Sequence, residues 1–146
     1  MKTKTRYGYL SLLSLLLAVI VIFLVHTSED TRWGHTFWEE WAVRHWNVTP
    51  AFAAEAVFWV RKTFHFLGYG TVSLLFWLYF FLWRLPRPMG TGIIATGIVA
   101  SFDEYLQSTT TFRGGTPQDV LLDLAGAITL TLAVKWWMAS RKRREG

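Results

Sequence analysis

Six polar or charged side chains lie within 21 residues of this chain, between segments apolar enough to cross a membrane. They are Asp103, Glu104, Gln107, Arg113, Asp119 and Asp123. Ionisable side chains at membrane depth cost free energy, so they usually face a bundle interior or a wet cavity and mark a working site. Carboxylates beside a guanidinium can bind a polar headgroup, transfer protons or hold a cation. This cluster is therefore the best evidence of function in the sequence.

The composition indicates a small membrane protein with a single domain, residues 1–146. Of the 146 residues, 52% are hydrophobic and nine are tryptophan, and the mean hydropathy is +0.26. The chain has no cysteine, which excludes disulfides, thiolate metal sites and a cysteine nucleophile. The net charge of +5 comes from basic residues beside apolar segments, where anionic lipid headgroups attract them, so we expect no nucleic-acid partner.

Four apolar segments predict an all-α membrane protein with four transmembrane helices in a bundle. The predicted spans are residues 7–25, 58–83, 89–106 and 119–139. The first could be a signal peptide, but residues 26–30 offer no small-residue cleavage site, so we favour an uncleaved anchor. Counted by loop, with Arg61 and Lys62 at the outer edge of the second span included, the side that holds the termini has nine Lys and Arg residues and the other side has five. The positive-inside rule then places both termini in the cytoplasm and the polar cluster outside.

The first external loop, residues 27–57, is rich in tryptophan and predicts a short helix in the outer interface. Thr36-Phe37-Trp38-Glu39 has the pattern of a capping box, which predicts that this helix begins at the threonine. Trp38, Trp41 and Trp46 then recur at helical spacing. Tryptophan prefers the membrane interface, so we favour anchoring over a platform for stacking a ligand.

Helical spacing places polar residues of three predicted spans on faces that meet at similar height. The faces consist of Lys62, His65 and Tyr69 on the second span, Asp103 and Gln107 on the third, and Asp119, Asp123 and Gly126 on the fourth. The heights follow from a rise of about 1.5 Å per residue in upright helices. Gly126 would let a neighbouring helix approach closely, as would Gly90, Gly92 and Gly97 on the third span. We therefore expect the three faces to line one pocket.

Some of these acids also have purely structural explanations. Asp103 and Glu104 point about 100° apart on a helix, so one should face the pocket while the other caps an arginine or meets water. Asp119 is the third residue of a helix begun by Thr116 and Pro117, where an acid complements the helix dipole, so capping alone is an equal explanation. Asp123 lies one turn deeper, where capping does not explain it.

The loop between the third and fourth spans, residues 108–116, contains Arg113 next to two glycines. Glycines allow a tight turn, so Arg113 can fold back over the helix ends toward the carboxylates. It would then pair with Asp103, Glu104 or Asp123. Equally, its planar fork of donors could bind a phosphate or carboxylate of a ligand.

Two blocks of sequence, together reaching from Arg61 to Gly126, resemble the VanZ-like family of small bacterial membrane proteins. The first is Arg61-Lys62-Thr63-Phe64-His65-Phe66-Leu67-Gly68-Tyr69. The second comprises Asp103-Glu104-x-x-Gln107, then Phe112-Arg113, then Asp119-Val120-Leu121-Leu122-Asp123-x-x-Gly126. Asp123 stands where many members have Asn, and the Phe-Arg spacing is tighter than in the usual pattern. The resemblance implies a multi-pass protein of the bacterial cytoplasmic membrane. The family's namesake is associated with low-level resistance to teicoplanin, which does not specify a biochemical activity.

Two functional classes follow. In the leading one, an outer pocket binds a membrane lipid, a lipid-linked wall precursor or a lipophilic glycopeptide, with Arg113 and Lys62 engaging its anionic group. In the other, the protein is a membrane-embedded hydrolase or transferase, with Asp103, Asp123 and His65 as the acid-base set.

Three further functional hypotheses have less support in the sequence than these two. A metal site is disfavoured because Arg113 and Lys62 can neutralise the acids and no tight ligand spacing is present. Nucleophilic catalysis by Ser108 has no diagnostic motif. Transport lacks the paired broken helices that alternating access uses. We expect no cofactor, and the oligomeric state is open.

Overall fold

The computed structural model describes residues 3–29, 31–109 and 116–145. This part of the chain forms five helices and no strands. The helices are α1 (Thr3–Glu29), α2 (Thr31–Trp46), α3 (Pro50–Leu82), α4 (Pro88–Ser108) and α5 (Pro117–Arg144). The predicted all-α class is confirmed.

Two of the described helices, α3 and α5, are long and apolar enough to cross a membrane. With 33 residues, α3 is about 50 Å long, which exceeds a hydrocarbon core of about 30 Å. In α1, a shorter apolar stretch covers Tyr7–Val21. Large apolar side chains also lie exposed on the bundle surface, including Phe64 at 70% and Trp136 at 74%. These features fit a membrane protein, and the four-span arrangement with cytoplasmic termini stays a prediction.

The core is a bundle of α3, α4 and α5, which make the most extensive contacts in the described chain. Lys62 contacts Asp119 and Ser73 contacts Thr131, so residue numbers rise together and α3 runs parallel to α5. Tyr69 contacts Asp103, whereas Trp77 lies beside Gly92, so α4 runs antiparallel to α3. Polar groups of all three helices therefore meet at one end of the bundle.

Glycines set the closest approaches between these helices. A Cβ added at Gly126 would overlap the carbonyl oxygen of Phe66, which confirms the predicted close contact. A Cβ at Gly92 would lie 2.9 Å from the backbone nitrogen of Trp77, and one at Gly97 would lie 3.0 Å from Leu124. The same expectation was wrong for Gly90, whose added Cβ would meet nothing within 4 Å.

Apolar contacts attach the first two helices to the bundle. Leu10, Leu13 and Leu17, spaced by three and four residues, are buried on α1, which packs against α3 and α4. Helix α2 packs against α3 around an apolar groove of about 230 Å³, lined by residues that include Trp38 and Val60. Whether α2 lies in a membrane interface stays a prediction.

Helices α2 and α3 begin upstream of the motif at Thr36 and of the predicted span at residue 58, respectively. Helix α2 begins at Thr31 and continues without interruption through residues 31–35. Thr36 therefore lies inside the helix, and the prediction that the helix begins there with a capping box was wrong. Helix α3 begins at Pro50, eight residues before the predicted span. The side chain of Thr49 accepts a hydrogen bond from the backbone N–H of Phe52, which caps that first turn.

Candidate functional site

The outermost pair of the site joins α3 to the first turn of α5. Thr116 is the N-cap of α5 and Asp119 lies in its first turn, as predicted. The Asp119 carboxylate forms an ion pair and hydrogen bond with the Lys62 ammonium, and each side chain is 18% exposed. The ammonium also lies 5.3 Å from the centre of the Phe58 ring. Capping is therefore not the sole role of Asp119, since it also holds the half-buried cation at the rim.

One turn deeper, His65 faces Asp123. The Nδ1 atom of His65 lies 3.4 Å from Oδ1 of Asp123, which is within ion-pair distance but outside hydrogen-bond geometry. The His65 side chain is 18% exposed, whereas that of Asp123 is 1% exposed. The imidazole also stacks on Tyr69, with ring centres 6.0 Å apart. This histidine therefore lies between the rim and a fully buried carboxylate.

The innermost carboxylate of the cluster belongs to Asp103. Its Oδ2 accepts hydrogen bonds from the Tyr69 hydroxyl at 2.8 Å and from the Gln107 amide at 3.0 Å. All three side chains are buried. Two donors on one oxygen fix the orientation of this carboxyl group, and they come from both α3 and α4.

The structure corrects the expectation for Glu104. One of Asp103 and Glu104 was expected to face the pocket while the other caps an arginine or meets water, but both are buried. Glu104 Oε1 accepts a hydrogen bond from the backbone N–H of Thr116, at the start of α5. The expectation was wrong because it assumed that one face of α4 packs against protein, whereas α3 and α5 pack against two faces of α4. Glu104 thus ties the end of α4 to the beginning of α5.

Arg113 lies outside the described residues, so its predicted pairing with the acids stays a prediction. Within the described chain, one oxygen each of Asp103, Glu104 and Asp123 is buried without a hydrogen bond. Such acceptors attract any donor that reaches them, because a buried oxygen without a partner costs free energy. The site is therefore rich in acceptors.

The polar contacts continue deeper than the sequence analysis indicated. Ser73 and Thr131, both fully buried, share a hydrogen bond of 3.0 Å between their hydroxyls. Ser73 lies four residues after Tyr69, and Thr131 lies eight residues after Asp123, so both extend the predicted faces. That spacing was the available signal. We call the residues of these contacts the polar column: Lys62, His65, Tyr69, Ser73, Asp103, Glu104, Gln107, Asp119, Asp123 and Thr131.

The acids of the polar column contact different partners: Asp119 contacts Lys62, Asp123 contacts His65, Asp103 contacts Tyr69 and Gln107, and Glu104 contacts the backbone of Thr116. Among the described residues, no group of three or more His, Cys, Asp or Glu side chains converges in a way that could hold a metal ion. The column thus offers carboxylates, one imidazole and one ammonium, together with the neutral phenol, amide and hydroxyl groups of Tyr69, Gln107, Ser73 and Thr131.

Comparison with known proteins identifies the chain by family. The family model VanZ/LLP1 matches residues 10–138, which include every residue of the polar column. No curated protein and no solved structure matches the chain. Because the match covers most of the sequence, the chain belongs to the VanZ/LLP1 family.

Proposed function

We propose that this protein binds an amphiphilic molecule of the bacterial cell envelope in the outer part of the polar column. The candidates are a membrane lipid, a lipid-linked wall precursor and a lipophilic glycopeptide of the teicoplanin type. Membership of a family linked to antibiotic resistance supports this class of ligand. The proposal places the protein in the cytoplasmic membrane, as a multi-pass chain with the pocket facing outward.

The acceptor-rich interior supports the proposal most directly. Each of the three most buried carboxyl groups, those of Asp103, Glu104 and Asp123, keeps one oxygen without a hydrogen bond among the described residues. An unsatisfied buried acceptor costs about 1–3 kcal/mol, so donors of a ligand would gain at least part of that free energy. Hydroxyl, amide and amine groups, which are common in envelope headgroups, are such donors.

The rim supports binding of the anionic part of the same molecule. Lys62 is half-buried and has three N–H donors, so the ion pair with Asp119 leaves donors for a phosphate or carboxylate. In this proposal Arg113, in the loop before α5, supplies a second cation for the same anionic group. The ligand would then place its anion at the rim and its uncharged polar groups against the acids.

Native mass spectrometry of the full chain in mild detergent tests this proposal. We expect wild type to retain a defined envelope lipid or added wall-precursor lipid, and Asp103→Asn and Arg113→Gln to lose at least about tenfold in retention. Glu40→Gln is the matched control, because Glu40 is exposed on α2 and forms an ion pair with Arg44, one turn away on the same helix. Equal retention by Asp103→Asn, Arg113→Gln and Glu40→Gln would contradict the proposal.

A membrane-embedded hydrolase or transferase is the second candidate, and the His65–Asp123 contact favours it. A buried carboxylate beside a partly exposed imidazole can orient that ring as a general base. The test incubates wild type, His65→Gln and Asp123→Asn with lipid-linked precursor and follows product masses. Conversion by wild type alone, with precursor retention unchanged in the variants, would make the protein an enzyme.

A further inference from the structure

The opposite end of the bundle gathers basic residues from two segments that are distant in sequence. Ser73 contacts Thr131, 58 residues later, and because α3 and α5 are parallel the same offset brings Arg84 level with Lys142. The basic residues at this level are Arg84, Arg87, Arg141, Lys142, Arg143 and Arg144. Glu145 is the one acidic residue in the segments 74–100 and 132–145. We call this group the basic end.

The local backbone does not explain the arginine at the end of α3. The N–H of Leu85 donates to the carbonyl of Phe80 at 3.1 Å and the N–H of Arg84 donates to that of Phe81 at 3.0 Å, which is a Schellman motif. Arg84 occupies the left-handed position of that motif, with φ of 58°. Glycine or asparagine is usual there, because other side chains are strained at positive φ.

Arg87 is equally unexpected as the N-cap of α4. Its φ and ψ are 51° and 50°, and its side chain makes no capping hydrogen bond. Ser, Thr, Asp and Asn are the usual residues at that position, since their side chains accept from the first N–H groups. By contrast, the left-handed residue after α2 is Asn47, a residue that tolerates this conformation. Both arginines thus keep a positive charge where the backbone favours other residues.

Aromatic residues beside the basic end indicate the depth of a lipid headgroup. Trp83 is 47% exposed and Trp137 is 54% exposed. The guanidinium of Arg141 lies 4.9 Å from the centre of the Trp137 ring. Exposed tryptophan next to arginine is typical of the membrane–water interface. A lipid surface therefore fits this patch better than a soluble acidic protein or a nucleic acid.

We propose that the basic end is a binding surface for the phosphate groups of anionic phospholipids. Guanidinium groups suit phosphate because they donate two parallel hydrogen bonds. Two arginines come from the strained turn between α3 and α4 and the others from the last turn of α5. A lipid phosphate that binds both segments would hold the parallel helices together at this end.

Thermal unfolding of the full chain in vesicles tests this proposal. The vesicles are made of phosphatidylcholine alone or of phosphatidylcholine mixed with phosphatidylglycerol. We expect phosphatidylglycerol to raise the unfolding temperature of wild type, and added salt to reduce that rise. The double variant Arg84→Gly/Arg87→Gly should lose at least half of the rise. In phosphatidylcholine alone it should unfold at the same temperature as wild type or about 3 °C higher, because glycine relieves the strain.

Asn47→Gly is the matched control, since it changes a left-handed residue to glycine at a different helix end without removing charge. It should keep the full rise caused by phosphatidylglycerol, while Arg84→Lys/Arg87→Lys should keep part of it. An equal rise in wild type and in Arg84→Gly/Arg87→Gly would overturn the proposal, and would leave these arginines with a role in membrane topology alone. A loss of the rise in Asn47→Gly would also overturn it, because the effect would then not depend on charge.

Discussion

The bundle of α3, α4 and α5 buries polar as well as apolar side chains, whereas the described side chains that α1 and α2 bury are all apolar. The buried polar residues in the described chain are Ser73, Thr96, Asp103, Glu104, Gln107, Asp123 and Thr131, all in the bundle. Among the side chains of α1 and α2 that the structure describes, the buried ones are Leu10, Leu13, Leu17 and Ala42. Within a membrane the lipid is as apolar as leucine, so apolar burial gives helices little reason to associate. In the proposed membrane location, the hydrogen bonds and close backbone contacts of the bundle would therefore contribute more to helix association than the apolar contacts of α1 and α2 do.

This difference means that the contacts that stabilise the bundle are also the contacts that build the candidate site. The Asp103 carboxylate joins α3 to α4, and Glu104 joins α4 to α5. A variant that separates the helices should therefore also disrupt the site, and variants in α2 should spare it. Three predictions test this comparison.

The largest effect is expected for Gly126→Ala. The added Cβ would overlap backbone atoms of Phe66, and backbone atoms cannot rotate aside as a side chain could. We expect a loss of about 3 kcal/mol or more in the free energy of unfolding, measured by denaturant titration in detergent. Gly90→Ala is the control: its Cβ would meet nothing within 4 Å, so alanine should be neutral or stabilise by up to about 1 kcal/mol. Equal losses in both variants would show that Gly126 is not a close-contact site.

A smaller loss is expected for Tyr69→Phe, which removes one donor from the buried Asp103 carboxylate. The expected cost is about 1–3 kcal/mol, because a buried carboxylate oxygen loses one of its two donors. Tyr105→Phe should have no such effect, since Tyr105 is 63% exposed. In a double-mutant cycle with Asp103→Leu, the two losses should be less than additive. Strict additivity would mean that the hydrogen bond contributes nothing.

The smallest effect is expected for exchanging the charges of the rim pair. Lys62→Asp and Asp119→Lys should each cost about 1 kcal/mol, and the double variant should recover at least half of the summed loss. The same exchange at Glu40 and Arg44 on α2 is the comparison, because those side chains are 65% and 73% exposed and water screens them. There we expect changes below about 0.5 kcal/mol. A larger effect on α2 than at the rim would reverse the comparison between the two regions.

The sequence predicted helix faces well, because a face depends only on local geometry. Lys62, His65 and Tyr69 share one face by their spacing, and the structure brings them to the predicted acids. Thr116 and Pro117 likewise mark the start of α5 through local capping chemistry. The rise per residue predicted only that the three faces lie at similar height, and the structure brings Asp119 to Lys62 and Asp123 to His65.

What could not be predicted depends on neighbours that a single helix does not reveal. Glu104 was judged from its angle to Asp103, but its partner is a backbone N–H of the following helix. Ser73 and Thr131 lie on the predicted helix faces, but the hydrogen bond between them depends on the pairing of α3 with α5. The capping box at Thr36 failed because a local motif does not exclude helix upstream of it. The role of Arg113 depends on a loop that lies outside the described residues.

The parallel pairing of α3 and α5 has a consequence for the order in which the site forms during synthesis. Lys62 precedes Asp119 by 57 residues, and ribosomes add about 5–20 residues per second, so about 3 to 11 s separate the two residues. During this interval Lys62 and His65 leave the ribosome without their carboxylates. The site is therefore complete only once α5 has been synthesised and has packed beside α3.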